Sequence, residues 1–133
     1  MEAQKTHILS VLLVDANERL RSLLARRLNA LDGFSVVAET ASALRGAELA
    51  AAYAPDIILF DSPKPGYGAA VCSQIHRASP GSRLVIYSAY LTDADAQEYR
   101  QAGASRCLLK GMTLQDLAAE LAAVMSCNGR TPK

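Results

Sequence analysis

The sequence predicts an α/β fold in which a parallel sheet is covered by helices on both faces. Three observations carry that prediction. Apolar periodicity alternates between strand and helix spacing, the connections are short, and the strand-like runs are nearly continuously apolar, as strands buried on both faces are. Four of those runs also deliver a reactive group at or near their ends. Asp15 follows "SVLLV", Asp61 follows "PDIILF", Ser88 lies in "RLVIYSA" and Lys110 in "SRCLLKG". Ligands of open α/β sheets bind outside the carboxyl ends of the strands, so the four point to one site assembled from distant parts of the chain.

Residues 8–14 read as the first strand. Leu20, Leu23, Leu24, Leu28 and Leu31 then recur at helical spacing, and Asp32-Gly33 supplies the stop. Residues 34–38 form a short second strand, and the alanine-rich residues 41–53 read as a helix closed off by Ala54-Pro55. Residues 57–60 are the third strand, 68–77 the third helix, ended by "SPGS", and 84–87 the fourth strand. Thr92 is placed to cap the fourth helix, with Asp93 and Asp95 near the positive end of its dipole, and Gly103 ends it. Residues 107–109 are the fifth strand. Thr113 and Asp116 resemble a capping box opening the last helix, whose apolar stripe is Leu114, Leu117, Leu121, Val124 and Met125. The reading is one domain over residues 1–133, with a core over residues 8–125, a polar tail over 126–133, and no repeat or linker.

Half of the 133 residues are apolar and a fifth are charged, as in a soluble globular protein. A net charge of +1 with scattered basic residues gives no electrostatic case for direct nucleic-acid binding. No apolar run approaches the roughly eighteen residues of a membrane span. The stretch "MEAQKTHI" lacks the apolar core of a secretory signal, so a cytoplasmic protein with no membrane partner is expected. Cysteines 72, 107 and 127 are widely spaced, and His7 and His76 are the only histidines, so neither a zinc site nor a disulfide framework is indicated. Cys72 and Cys107 are expected to be buried, Cys127 exposed, and His76 a surface side chain. The loop "DANERL" has no glycine-rich phosphate cradle, which argues against a nucleotide-binding or flavin enzyme.

Taken singly, Asp15 reads as a helix cap, Asp61 as a solvated turn residue, Lys110 as a surface lysine and Ser88 as a cap. Their conjunction at strand ends favours a shared site. At this point the chain resembles the receiver domains of two-component response regulators, through "VLLVD", "PDIILFD" followed by "KPG", "LVIYSAY" and "AGASRCLLK" in that order. The resemblance spans residues 8–125 and implies a flavodoxin-like (βα)5 three-layer sandwich with strand order 2-1-3-4-5. It further implies that Asp61 is the phosphoacceptor, attacking a phosphohistidine of a histidine kinase or phosphotransfer protein. Lys110 then corresponds to the lysine that pairs with the acceptor and the incoming phosphoryl group, and Ser88 to the hydroxyl that turns inward to it. Asp15, Asp61 and the main-chain carbonyl of Pro63 correspond to the Mg2+ ligands. The implied output face, toward an unidentified output protein, takes in the fourth helix, fifth strand and fifth helix, with Tyr90, Leu91, Tyr99, Arg106 and Leu108 as contributors.

Two positions depart from the family pattern, and a third differs from many members. Ala16 replaces the second acid of the metal-binding pair, which weakens the metal site, and Glu18 is a poor substitute because a glutamate at a helix start is more often a dipole partner. Cys107 stands where the family places an aromatic residue, and Gly111 where many members have proline after the lysine. The readings left open are a working phosphoacceptor, a pseudo-receiver acting without phosphorylation as an interaction module, and the receiver fragment of a DNA-binding response regulator. Homodimerisation is likewise left open. In each case the chain is a regulatory protein, with at most self-phosphorylation and self-dephosphorylation as its chemistry.

Overall fold

The computed structural model describes residues 7–61 and 68–126. Strands and helices alternate: β1 (Leu9–Val14), α1 (Glu18–Asn29), β2 (Phe34–Thr40), α2 (Ala43–Tyr53), β3 (Ile57–Phe60), α3 (Gly68–Ala78), β4 (Arg83–Ser88), α4 (Asp93–Gln101), β5 (Ala104–Leu109) and α5 (Leu114–Ser126). The strands form one sheet in the order β2-β1-β3-β4-β5, and every pairing is parallel. This is the flavodoxin-like order, whose direction reverses between β1 and β3.

Strand alternation divides the core into two layers, one on each face of the sheet. Leu9, Val11 and Leu13 of β1 join Ile57 and Leu59 of β3 beneath α1 and α5, with Leu28, Leu117 and Leu121 contributed by the helices. Leu12 and Val14 face the other way and join Ile58, Phe60, Leu84 and Ile86 beneath α2, α3 and α4. The continuous apolar runs of β1 and β3 are what a strand covered on both faces requires. On that second face α2 approaches β1 closely. A Cβ at Gly46 would lie 2.9 Å from Val14 Cγ2, so glycine is what lets the helix seat there.

Local chemistry sets the helix ends. The Asn17 and Ser42 side chains accept from the amides of Leu20 and Arg45, capping α1 and α2. Thr92 and Asp95 form a complete capping box on α4, beyond the single cap read from the sequence. At α5 the Thr113 hydroxyl accepts from the Asp116 amide at 3.1 Å. Gly103 and Gly111, at φ +119° and +111°, supply the left-handed turns that close α4 and follow β5. All described peptide bonds are trans, including the one after Lys110.

Four sequence expectations are corrected by burial. Tyr99 is only 7 % exposed and is the one buried residue of α4, a short and otherwise polar helix that needs an anchor in the core. Leu108 is 8 % exposed because strand alternation turns it toward the α1 and α5 layer. Neither presents its side chain on the output face, whereas Tyr90 is 72 % exposed. Leu91 is half-buried, and so is Arg106, which pairs with Glu120 of α5. His76 is not a free surface group. Its ring packs against the backbone at Gly103, where an added Cβ would lie 2.6 Å from Cγ. Cys107 is half-buried rather than buried, while Cys72 is fully enclosed. Cys127 and the rest of the polar tail beyond residue 126 lie outside the described residues.

Candidate functional site

The hydrogen-bond ladder continues one residue past each strand and so fixes the site. The Asp15 amide donates to the Thr40 carbonyl (3.0 Å), Asp61 to that of Val14 (2.9 Å) and Lys110 to that of Ser88 (2.8 Å). Asp15 and Asp61 thereby lie side by side at the ends of β1 and β3, where the strand order reverses. Lys110 reaches in from the edge strand β5.

Its ammonium group bridges the two carboxylates, with Nζ 2.8 Å from Asp15 Oδ2 and 3.0 Å from Asp61 Oδ2. The three side chains retain 19 %, 14 % and 22 % of their exposure. These are charge-assisted bonds in a partly desolvated pocket, stronger than their counterparts on an open surface. Asp15 does two jobs. Its Oδ1 accepts from the Asn17 amide at 2.9 Å, so the expected helix-start role is also present, although the cap itself is Asn17. Ser88 is buried, its hydroxyl donating to the Tyr90 carbonyl at 3.3 Å while lying close enough to Asp61 to favour the carboxylate.

One ammonium serving two acids leaves an imbalance, and the proton affinities reflect it. Burial raises the Asp61 pKa above the ordinary carboxylate value, against the opposing hydrogen bond and charge of Lys110. For Lys110, burial works against the charged form, but the hydrogen bonds to Asp15 and Asp61 outweigh it and hold its pKa above the usual lysine value. The two shifts agree: the cation is satisfied twice, while Asp61 is compensated only in part.

Two residues that the sequence did not single out belong to this site. Arg21 of α1 donates from Nη1 to the Asp15 carbonyl (2.8 Å) and from Nε to Glu39 of β2 (2.9 Å), tying the β1 loop to its neighbour strand. Its signal was weak, one of four arginines within the leucine pattern of α1, on the turn nearest Asp15. Tyr87 lies under Lys110, whose Nζ is 5.8 Å from the ring centroid. Its signal was its place one residue before Ser88 at the end of β4.

The described residues do not by themselves make a divalent-cation site. Position 16 is an exposed alanine, Glu18 is exposed at the start of α1, and no group of three metal-binding side chains comes together among the described residues. Asp15 has both oxygens engaged, and Lys110 already supplies positive charge to the pair. The Pro63 carbonyl lies outside the described residues. The two described thiols offer no alternative chemistry, since burial pushes the Cys72 pKa up to about 12 and raises that of Cys107 as well.

A doubly wound sheet with an acid, an acid, a hydroxyl and a lysine converging at its switch point defines a regulatory receiver. The model of the response regulator receiver domain family matches residues 11–122, and the chain belongs to that family. It is 30 % identical over 109 residues to the nitrate/nitrite response regulator protein NarL of Escherichia coli (strain K12), covering 81 % of this chain and 50 % of that protein. It is 28 % identical over 120 residues to the response regulator UvrY of E. coli O157:H7, covering 90 % and 55 %. The chain thus spans about half the length of the curated relatives it matches. Among solved structures, the receiver domain of the putative response regulator NarL from Mycobacterium tuberculosis superposes with a TM-score of 0.79 at 28 % identity, covering 93 % and 99 % of the two chains. A LuxR-family two-component response regulator from Aurantimonas sp. SI85-9A1 gives 0.81 at 27 % identity, covering 90 % and 86 %. Receivers of this family generally bind Mg2+ at the phosphorylation site and are regulatory proteins. No described helix is long and apolar enough to cross a membrane.

Proposed function

We propose that Asp61 accepts a phosphoryl group from a histidine kinase or phosphotransfer protein, and that the modified chain signals through protein contacts. The observation that supports this most directly is the Lys110 bridge to Asp15 and Asp61 at the switch point. In the reaction an Asp61 oxygen attacks the phosphorus of a phosphohistidine, the P–N bond breaks, and the imidazole leaves with the electron pair and takes up a proton. Lys110 exchanges its bond to Asp61 for one to a phosphoryl oxygen, keeping Asp15 as its second partner. The Ser88 hydroxyl leaves the Tyr90 carbonyl and donates to the same group. Neutralising charge on the transferring oxygens is the main catalytic task in phosphoryl transfer, and Lys110 is the group placed to do it.

The donor must approach from the open side of the pocket. There α1 exposes Leu20 and Leu23 between Arg19, Arg26 and Arg27, a surface suited to an acidic, partly apolar partner. The output face is proposed around Tyr90, Leu91 and Arg106. Mg2+ is expected to bind weakly, through Asp15, Asp61 and the Pro63 carbonyl. The chain is proposed to be a single receiver domain working in the cytoplasm, without direct contact to nucleic acid or membrane, its chemistry confined to gaining and losing its own phosphate. Self-association is a question for sedimentation.

A specific observation favours the pseudo-receiver as second reading: position 16, where the family pattern has a second acid, offers no carboxylate. Incubation with acetyl phosphate or a phosphorylated kinase, with and without Mg2+, followed by intact mass, separates the two. An adduct absent from Asp61→Asn supports phosphotransfer. No adduct with several donors supports the pseudo-receiver.

A further inference from the structure

We propose that Tyr87 is a positioning residue for the acceptor site, its ring holding the Lys110 ammonium in line with Asp15 and Asp61. The last two residues of β4 flank the site from opposite faces of the sheet. Ser88 lies close to Asp61 with its hydroxyl on the Tyr90 carbonyl, and Tyr87 turns its ring to the α1 and α5 side, packed against that core layer. The ring walls two spaces at once. With Asp15, Asp61, Arg21 and Leu24 it closes a gap of about 10 Å3 under the acid pair, and with Lys110, Gly111, Leu20 and Arg27 it lines an open groove of about 230 Å3 beside α1. A gap that small holds at most about one water, so side chains, Tyr87 among them, bound the acid pair from below.

Lys110 needs such a wall. It follows the edge strand, and the next residue is Gly111 at φ +111°, with nothing within 4 Å of where its Cβ would be. Two carboxylates fix its ammonium, and the ring, 5.8 Å away, is the third contact, within the range where a cation is drawn to an aromatic face. When Asp61 carries phosphate, the ammonium must shift by one bond to a phosphoryl oxygen. A flat ring beneath it permits that shift while excluding rotation out into the groove. The ring rather than the hydroxyl does this, because no hydrogen bond from the Tyr87 hydroxyl is found among the described residues.

The inference rests on the phosphoacceptor reading for its consequence, but not for its geometry, and the test has two arms. In the first, NMR of the Lys110 ε-methylene protons should show an upfield ring-current displacement in the wild type and in Tyr87→Phe, lost in Tyr87→Leu. In the second, the rate of Asp61 phosphorylation by acetyl phosphate should fall about two- to tenfold in Tyr87→Leu and recover in Tyr87→Phe. Tyr87→Met serves as the non-aromatic variant if the leucine protein does not fold. Unchanged Lys110 shifts across the series, or a folded leucine or methionine variant that phosphorylates at the wild-type rate, would overturn the assignment. A wild type that gives no adduct refutes the phosphoacceptor reading instead, and the NMR arm still decides the placement of Tyr87.

Discussion

Replacing Lys110 by methionine removes the one cation that bridges Asp15 and Asp61 among the described residues, while keeping most of the side-chain volume. Two carboxylates would then face each other in a pocket where each is at most about a fifth exposed. Breaking a fully buried ion pair by deleting one partner costs about 3–5 kcal/mol; with solvent reaching part of this pocket, a loss of about 1–3 kcal/mol is expected at neutral pH. The loss should also depend on pH. Burial already raises the Asp61 pKa in the folded state, so the fold favours its protonated form. That contribution is present below the unfolded carboxylate pKa and is lost as pH rises through the folded value. Without Lys110 the mutual repulsion of the acids raises the folded value further, so the variant recovers stability on acidification more than the wild type does. In the wild type the raised pKa of Lys110 gives a contribution that is lost only on the alkaline side, above the ordinary lysine value. Urea unfolding from mildly acidic to neutral pH measures this directly. A second substitution, Asp61→Asn, should restore most of the deficit. If Lys110→Met matches the wild type at neutral pH, or if its deficit ignores both acidification and Asp61→Asn, then Lys110 is not the counter-charge of this pair.

Asp61→Asn alone relieves the competition of two acids for one ammonium and should raise stability by up to about 1 kcal/mol, read as a higher thermal midpoint; a clear drop would contradict the imbalance. Ala16→Asp adds a carboxylate on the loop after β1 and should strengthen Mg2+ binding by calorimetry. Unchanged affinity would mean the acid pocket does not extend to position 16. Gly103→Ala and Gly111→Ala incur similar backbone strain, about 1–2 kcal/mol, but only the former drives a Cβ into the His76 ring. Gly103→Ala should therefore be the worse of the two by about 1 kcal/mol or more, and His76→Ala in the same chain should recover the difference. Equal losses would show that the ring gives way freely.

The fold was legible because its signals are local and agree with one another. The continuous apolar runs of β1 and β3 come from burial on both faces, and the helix stripes and caps follow the same two-layer core. The largest change of bounds is at the edge strand β5. β2 and β5 extend beyond their apolar stretches through Glu39 and Thr40, and through Ala104 to Arg106, because ladder pairing with an inner neighbour continues where hydrophobicity has stopped. Two of the exposure errors share one cause. Tyr99 and Leu108 were placed on a surface by family position, but which way a side chain turns depends on the register of α4 and β5 against the sheet. His76 was misread because the glycine that receives its ring lies 27 residues away in the chain.

Asp15, Asp61, Ser88 and Lys110 were found because strand ends are marked in sequence by the change from apolar run to polar residue. Arg21 and Tyr87 were missed because each looks like part of a pattern, one on a helix face and the other in a strand. Their role appears only when β1, β2 and β4 are set side by side. The same geometry joins the site to the scaffold. Asp15 holds Lys110 through Oδ2 and the Asn17 amide through Oδ1, and Arg21 holds the Asp15 carbonyl. Any shift of Lys110 toward a phosphoryl group therefore pulls on the carboxylate that orders the turn into α1. The first turn of that helix carries Leu20, the exposed leucine at the mouth of the groove. On the proposed reading, charging Asp61 and presenting the α1 surface are linked through one carboxylate, and Asp15→Asn should loosen both by replacing an acceptor-only group with one that cannot serve Lys110 and the Asn17 amide equally well. Faster amide exchange at Asn17 and Leu20 together with a mobile Lys110 would be the expected signature. Loss of order at Lys110 with the α1 turn unchanged would show the two to be independent.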